Sequence, residues 1–146
     1  MKTIAQQINW DFEANGNLEI KDTRGYYIYS ENSNGWSKLE YDSQGNQTYW
    51  ENSYGNWVKR EYDSKGKEIY FESSNGFSYK HEYDSEDNKT YYESSTGYWE
   101  KKKYDSKGNL IYLENSQDGV VIDRQPESCE TKVVEIDGVK YKLTKI

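Results

Sequence analysis

One stretch, Tyr62-Asp63-Ser64-Lys65-Gly66-Lys67-Glu68-Ile69-Tyr70-Phe71-Glu72-Ser73-Ser74-Asn75-Gly76, recurs along the chain and sets what the chain can become. Its opening Tyr-Asp-Ser stands at Tyr41, Tyr62, Tyr83 and Tyr104, at one constant spacing. Self-similarity at a fixed short period marks an array of small units that bury surface only against their neighbours. Glycines at 16, 25, 35, 45, 55, 66, 76, 97, 108 and 119 punctuate the units in steps of nine to eleven, with a single step of 21. The long step contains Ser85-Glu86-Asp87-Asn88. Asp and Asn are the non-glycine residues that best tolerate positive φ, so a turn is expected there too.

From Gly35 to Gly108 each glycine turn reads Asp-Ser-x-Gly or Asn/Ser-Ser-x-Gly. In a type I turn closed by a left-handed residue, the first side chain accepts from amides inside the turn and the glycine takes positive φ without a Cβ penalty. The segments between turns, such as 67–72 and 56–62, are six or seven residues long and rich in Tyr, Trp, Ile, Val and Thr. That is the length and composition of a strand. Two strands and two turns fill one repeat, and the step from Tyr41 to Tyr62 to Tyr83 is an odd number, whereas side chains alternate faces with period two. Equivalent residues keep one face only if each repeat absorbs an extra residue, so a β-bulge is expected in every repeat, at the Asp-Ser-x-Gly turns. Glycines 25, 35, 45 and 55 are ten apart, so the first repeat is one residue short and is expected to pair differently.

The fold expected is therefore all-β: an antiparallel meander of about ten strands in tandem hairpins, forming one extended, twisted sheet, with a single layer as its simplest form. Tyr62, Tyr70, Tyr83, Tyr91, Tyr104 and Tyr112 recur at fixed places, which predicts rings stacked across strands as ladders. Glu51, Glu72, Glu93 and Glu114 recur likewise, with Lys59, Lys80 and Lys101 between them. After Gly119 the pattern fades through Val120-Val121-Ile122-Asp123 and breaks at Arg124-Gln125-Pro126-Glu127-Ser128. Beyond it, Asp137-Gly138 between the alternating segments 132–136 and 139–143 signals a two-residue hairpin, which could cap the sheet's last edge. The divisions expected are a lead-in at 1–9, the repeat domain at 10–123, a linker at 124–131 and a C-terminal hairpin at 132–146. Ile4 and Ile8 have helical spacing within the lead-in, over too few turns to assign a helix.

Composition pulls against an ordered array. Leu, Ile, Val and Phe number 23 of 146 residues, a level associated with disorder in charged chains. Sixteen Tyr and five Trp answer this, because each ring can bury roughly 150–250 Å² while keeping a polar edge wet. A folded domain with a thin core follows. The net charge of −7 sits in the repeats: residues 1–123 carry 22 acidic and 14 basic groups, residues 124–146 carry 4 and 5. That balance disfavours direct contact with nucleic-acid backbone, which takes clustered Lys and Arg.

Catalytic chemistry finds no constellation in this sequence. His81 stands where neighbouring repeats carry Arg60 and Lys102, and reads as an ordinary strand residue. Cys129, the only cysteine, can form no internal disulfide and has no histidine near it in sequence. The Asp-x-x-Gly turns offer one carboxylate each, where calcium takes six to eight oxygens. The carboxylates recur with the repeat and pair with lysines, so no raised-pKa pair of a glycosidase type is expected, and no Gly-rich phosphate loop occurs. The expectation is a non-enzyme without metal or cofactor. Without a hydrophobic signal core or an apolar run of membrane length, a cytoplasmic, bacterial-host location is expected.

The Tyr-Asp-x-x-Gly core at Tyr41, Tyr62 and Tyr104 resembles the YD (RHS-type) repeats. The Gly55-Asn56-Trp57-Val58-Lys59-Arg60-Glu61-Tyr62 stretch is similar to MORN-type repeats seen in some bacterial antitoxin-like proteins. Both resemblances cover about residues 12–122 and imply a β-hairpin array. The chain departs from the YD family in size, since that family's repeats build large toxin-encapsulating shells. It also lacks the Trp-Tyr-Tyr signature of choline-binding repeats. Short acidic β-proteins of this style resemble small phage-encoded proteins, including inhibitors of bacterial defence systems.

Two classes of function remain, with a structural spacer as a third. The favoured one is a protein-binding module with a basic partner, of which a phage-type inhibitor of a CRISPR-like or other nucleic-acid-binding protein is one form. Tyr and Trp supply hot-spot area and carboxylates engage Lys or Arg. The residues expected to carry it are Trp36, Tyr49, Glu51, Trp57, Glu61, Tyr70, Glu72, Tyr91, Glu93, Trp99 and Tyr112. The second is a carbohydrate-binding module using Trp36, Trp57, Trp99 and the tyrosines as stacking surfaces. A mimic of nucleic-acid charge needs its carboxylates on one face, whereas a glycan platform needs neutral aromatic strips. Edge-to-edge pairing of chains is compatible with either.

Overall fold

The computed structural model describes residues 2–124, 133–137 and 139–142. Eleven strands run in sequence order as one open antiparallel sheet: β1 (Leu18–Lys21), β2 (Tyr27–Asn32), β3 (Gly35–Tyr41), β4 (Gln47–Asn52), β5 (Trp57–Tyr62), β6 (Glu68–Ser73), β7 (Ser78–Tyr83), β8 (Lys89–Ser94), β9 (Trp99–Tyr104), β10 (Leu110–Asn115) and β11 (Gly119–Asp123). Two short helices, α1 (Ile4–Ile8) and α2 (Phe12–Asn15), precede them. Where periodicity alone could not assign a helix, α1 is fixed by its cap: the Thr3 hydroxyl accepts from the Gln6 amide and the Gln6 side chain from the Thr3 amide.

The turn chemistry is as expected. The Asp63 carboxylate accepts from the amides of Lys65 at 2.8 Å and Lys67 at 2.9 Å, and Gly66 closes the turn at φ 79°. Asp87 replaces glycine at φ 70°, and the Asp87 amide reaches the Asp84 carbonyl at 3.1 Å, so that turn survives. Its carboxylate is held by Lys65 and Lys67 of the Asp63–Lys67 turn, at 2.8 and 3.1 Å.

The odd period is absorbed as predicted. Pairing steps from Glu40↔Tyr49 to Tyr41↔Gln47, from Glu61↔Tyr70 to Tyr62↔Glu68, from Glu82↔Tyr91 to Tyr83↔Lys89 and from Lys103↔Tyr112 to Tyr104↔Leu110. Thr48, Ile69, Thr90 and Ile111 are the extra residues, each on the strand that leaves an Asp-Ser-x-Gly turn or its Asp87 equivalent. Within the short first repeat the β2–β3 hairpin pairs differently, as expected. Asn32 opposes Gly35 across a two-residue loop, where later repeats close a longer turn such as Asn52–Asn56.

Little is buried, because one layer has two wet faces. Ala5 and Leu18 are the buried apolar residues among those described, at 2% and 7% exposure, and Glu31 lies with them at 5%. All three belong to the N-terminal end, where α1 docks on the sheet through the Ala5 amide and the Glu31 carboxylate at 2.9 Å. The array is thus capped at its start. The expectation that the C-terminal hairpin caps the last edge is not met: β12 (Val133–Ile136) and β13 (Val139–Lys142) form a separate two-stranded sheet, and β11 remains an edge strand with Val120 and Val121 exposed. The hairpin itself is as predicted, with Ile136 opposite Val139 and Asp137 at φ 52°. Pro126 and Cys129 lie outside the described residues.

Candidate functional site

The strand register sorts side chains onto two unlike faces. Following the pairs across β3 to β10, Trp36, Tyr49, Glu51, Trp57, Glu61, Tyr70, Glu72, Tyr91, Glu93, Trp99 and Tyr112 all fall on one face. This is the ladder face, and it gathers every residue expected to carry binding. The bulges make that possible, since without them each repeat would invert its neighbour.

Cross-strand rows on this face repeat a charge order. Glu40, Tyr49, Lys59 and Glu72 oppose one another in succession, as do Glu61, Tyr70, Lys80 and Glu93 in the next row and Glu82, Tyr91, Lys101 and Glu114 in the third. Each lysine lies between a tyrosine and a glutamate, and Lys38 and Lys59 also bridge Glu40 and Glu61 on their own strands at 2.5 and 3.3 Å. Exposed pairs of this kind contribute about 0.2–1 kcal/mol each.

Carboxylates nevertheless dominate. Glu31, Glu40, Glu51, Glu61, Glu72, Glu82, Glu93, Glu114 and Asp123 share the face with Lys38, Lys59, Lys80, Lys101 and Lys103, nine against five, a net charge of −4. On the opposite face Glu19, Glu68 and Glu100 meet Lys21, Arg60, Lys89 and Lys102, three against four. Among the strand residues, the acidic surplus therefore lies on one side of the sheet.

The repeat tyrosines of the ladder face do not stack on one another, which corrects the expected ring ladders. Tyr49, Tyr70 and Tyr112 instead donate their hydroxyls to Glu51, Glu72 and Glu114, two residues on, at 3.0, 3.1 and 2.9 Å. A lysine row intervenes between successive tyrosines, which keeps the rings apart. Desolvation and the neighbouring Glu72 carboxylate push the Tyr70 hydroxyl above its ordinary pKa; for Tyr112 the Glu114 hydrogen bond leads. All these hydroxyls stay protonated donors. Tyr62, Tyr83 and Tyr104 project from the other face and donate to the carbonyls of Gln47, Glu68 and Lys89, each fifteen residues back, tying strand ends across the bulges.

Apart from the Tyr29–Trp36 pair at the capped end of the ladder face, ring-to-ring contact among the repeats belongs to that opposite, aromatic face. Phe71 stacks on Tyr79 at 5.0 Å between centroids, and Tyr79, His81 and Tyr92 form a tilted cluster at 4.8–5.9 Å. Arg60 bridges Glu68 at 3.1 Å, Tyr79 donates to the same carboxylate, and Lys102 bridges Glu100 at 2.5 Å. His81 Nε2 meets Lys89 Nζ at 3.2 Å, and burial followed by the Lys89 charge pushes the imidazole below its ordinary pKa. The neutral ring is an internal contact of the sheet, in line with its reading as a strand residue.

The tryptophans expected to stack on sugars occupy the ladder face at the ends of charged rows: Trp57 opposes Glu51, and Trp99 opposes Glu93. That is not a neutral aromatic strip. Sequence reasoning missed the cap end of this face, where Ile4, Ile20, Tyr29 and Trp36 meet beside Lys38 and Glu40. Tyr29 and Glu31 fall one residue out of phase with Tyr49 and Glu51, which hid them from the repeat.

No family model and no curated protein matches the chain. Solved structures do. A crystal structure of TcdB2-TccC3-TEV aligns with 68% of this chain at 18% identity and a TM-score of 0.50, and the Photorhabdus luminescens Tc holotoxin pore carrying the TccC3-D651A mutation aligns with 72% at 16% identity and the same TM-score. The chain spans only 5% and 6% of those chains' lengths. At this identity the likeness is one of fold, and it supports the YD-type resemblance at the level of a β-hairpin repeat.

Proposed function

We propose that this chain is a non-enzymatic protein-binding module that presents its ladder face to a basic surface. The observation that carries the reading is the segregation of charge: nine carboxylates against five lysines on one face, interleaved with Tyr and Trp, and near balance on the other. Spaced carboxylates on a stiff sheet suit Lys- and Arg-rich partners, and amphipathic rings supply contact area at low entropic cost. Proteins that grip nucleic-acid backbone carry such surfaces. An inhibitor of a nucleic-acid-binding protein, including a phage-type inhibitor of a bacterial defence system in the host cytoplasm, is the specific form this proposal takes.

Charge reversal on one face against the other tests it. The double variant Glu61→Lys/Glu72→Lys is expected to lose capture of basic proteins from a bacterial lysate, and wild-type capture to weaken steeply between low and high salt. Glu68→Lys/Glu100→Lys, on the aromatic face, is the matched control for net charge. Equal loss in both, or capture that is insensitive to salt together with binding on a glycan array, overturns the reading.

A further inference from the structure

A cleft of about 840 Å³ opens at the capped end of the ladder face. Ile4 and Gln7 of α1 line one side, Ile20, Tyr29 and Trp36 line the sheet, and Lys38 and Glu40 stand at the start of the acidic rows. Its size falls within the range of clefts that enclose ligands, about 300–1,000 Å³. The rings of Tyr29 and Trp36 lie nearly parallel, 6.2 Å apart between centroids, so the apolar surface is broad.

The charges around the cleft decide what it can take. Arg24 is bridged to Asp22 at 2.9 Å and Lys38 to Glu40 at 2.5 Å, which leaves Lys2 as the one lining cation without an ion pair among the described residues, a single counter-charge for an anionic ligand. Beyond the cleft the surplus is negative, running from Glu51 through Glu72 to Glu93. The best complement is an uncharged apolar group inside and cations alongside.

We propose that this cleft is the anchor site for a protein partner: it receives a large apolar or aromatic side chain whose chain neighbours are Lys or Arg, the apolar group seated among Ile4, Ile20, Tyr29 and Trp36 and the cations along the acidic rows. This rests on the ladder-face reading and adds to it a place and a partner chemistry. A desolvated anchor surrounded by a polar, charged rim is the usual division of labour in protein interfaces. The acidic rows then set encounter and orientation, and the anchor sets the lifetime of the complex.

The test follows amide NMR signals of the full chain during titration with synthetic peptides: one with a Phe followed by a run of Lys, one with Ala for Phe, and one with Glu for Lys. The Phe–Lys peptide is expected to shift Ile4, Ile20 and Trp36 as well as Glu72 and Glu93. The Ala–Lys peptide should lose about tenfold in affinity, with shifts only along the acidic rows, and the Phe–Glu peptide should lose at least as much. Gln7→Trp, which fills the cleft from an exposed helix position, should remove the Ile20 and Trp36 shifts while leaving those at Glu72 and Glu93. Equal binding of the Phe and Ala peptides, with the acidic rows still shifting, overturns the anchor and leaves the ladder face standing. Equal binding of the Phe–Glu and Phe–Lys peptides also overturns it. Absence of shifts on the ladder face with any Lys peptide overturns both readings.

Discussion

Replacing Glu31 by Ala should release α1 and open the cleft while the strands stay intact. The Glu31 carboxylate is buried, makes no ion pair among the described residues, and accepts from the Ala5 amide at 2.9 Å and the Tyr29 hydroxyl at 2.8 Å. Hydrogen bonds to a charged acceptor contribute about 1.5–3 kcal/mol each, and burying their donors unpaired is costly. Loss of both would reach roughly 3–6 kcal/mol if α1 stayed in place. It need not stay, because water can satisfy the donors once α1 lifts. The measured cost is therefore capped at the docking energy of α1, which we put at up to about 3 kcal/mol from the Ala5 amide's hydrogen bond to the charged carboxylate. Five residues cannot hold a helix alone in water, so docking and helix are lost together. Native-state hydrogen exchange should show the amides of Ala5, Gln7 and Trp10 exchanging about 100-fold faster, with β5 to β8 unchanged.

Glu31→Gln keeps an acceptor oxygen and should lose less, since charge assistance roughly doubles the bond. Burial pushes the Glu31 carboxyl up, but the hydrogen bonds from Thr3, Ala5 and Tyr29 outweigh it and hold the group below its ordinary value of 4.5. A depressed carboxyl stabilises above its unfolded value and stops doing so as pH falls through the folded one. Protection of α1 should fall with acid below about pH 4.5 in the wild type and remain flat there in Glu31→Gln. Unchanged α1 protection in Glu31→Ala, or equal loss of protection in β5 to β8, would refute the docking argument.

Further outcomes follow from the turns and the aromatic face. Gly66→Ala meets no close atom, its nearest being Asn46 Oδ1 at 3.5 Å, so the loss of about 1–2 kcal/mol comes from φ 79° alone. Asp87→Gly relieves φ 70° but gives up two exposed lysine pairs of about 0.2–1 kcal/mol each, so urea midpoints should show it near neutral; stabilisation as large as the Gly66→Ala loss contradicts the account. His81 is held below its ordinary 6.5, so its neutral form supports the fold above that pH and the support fades as pH falls through the folded value. Wild-type stability should therefore decline on acidification below about pH 6.5, and His81→Gln should remove that part of the slope. An identical slope in both proteins would place the sensitivity elsewhere.

The repeat made most of the sheet legible because turn chemistry is local. Asp63, Gly66 and even Asp87 announce their turns by residue type, and the odd parity of the repeat required the bulges now seen at Thr48, Ile69, Thr90 and Ile111. Parity also placed all eleven candidate binding residues on one face. The failures are non-local. Whether tyrosines stack depends on what lies between them across strands, and Lys59 and Lys80 separate Tyr49, Tyr70 and Tyr91. The docking of α1 depends on a glutamate 26 residues away, at a position one residue out of phase with the later repeats. No periodicity argument reaches that pairing.

The fourth repeat sets the limit of the acidic surface and so bears on how a partner must bind. Where earlier repeats carry Glu40, Glu61 and Glu82, it carries Lys103, and its row reads Lys103, Tyr112, Asp123, with the order of charge reversed. At the other end α1 occupies the start of the sheet, leaving β3 to β8 as the acidic patch. Six strands about 4.8 Å apart and about 20 Å long give a patch of roughly 24 by 20 Å, or about 500 Å². A stable protein interface buries about 800 Å² on each partner. The acidic rows are thus large enough to steer a basic partner and too small to hold it alone. Contact must extend beyond them, towards the reversed row at Lys103, which would repel a uniformly basic surface, or towards the apolar cleft beside α1. The second direction adds area without opposing charge, which is why a tight complex should depend more on Ile20 and Trp36 than on any single glutamate.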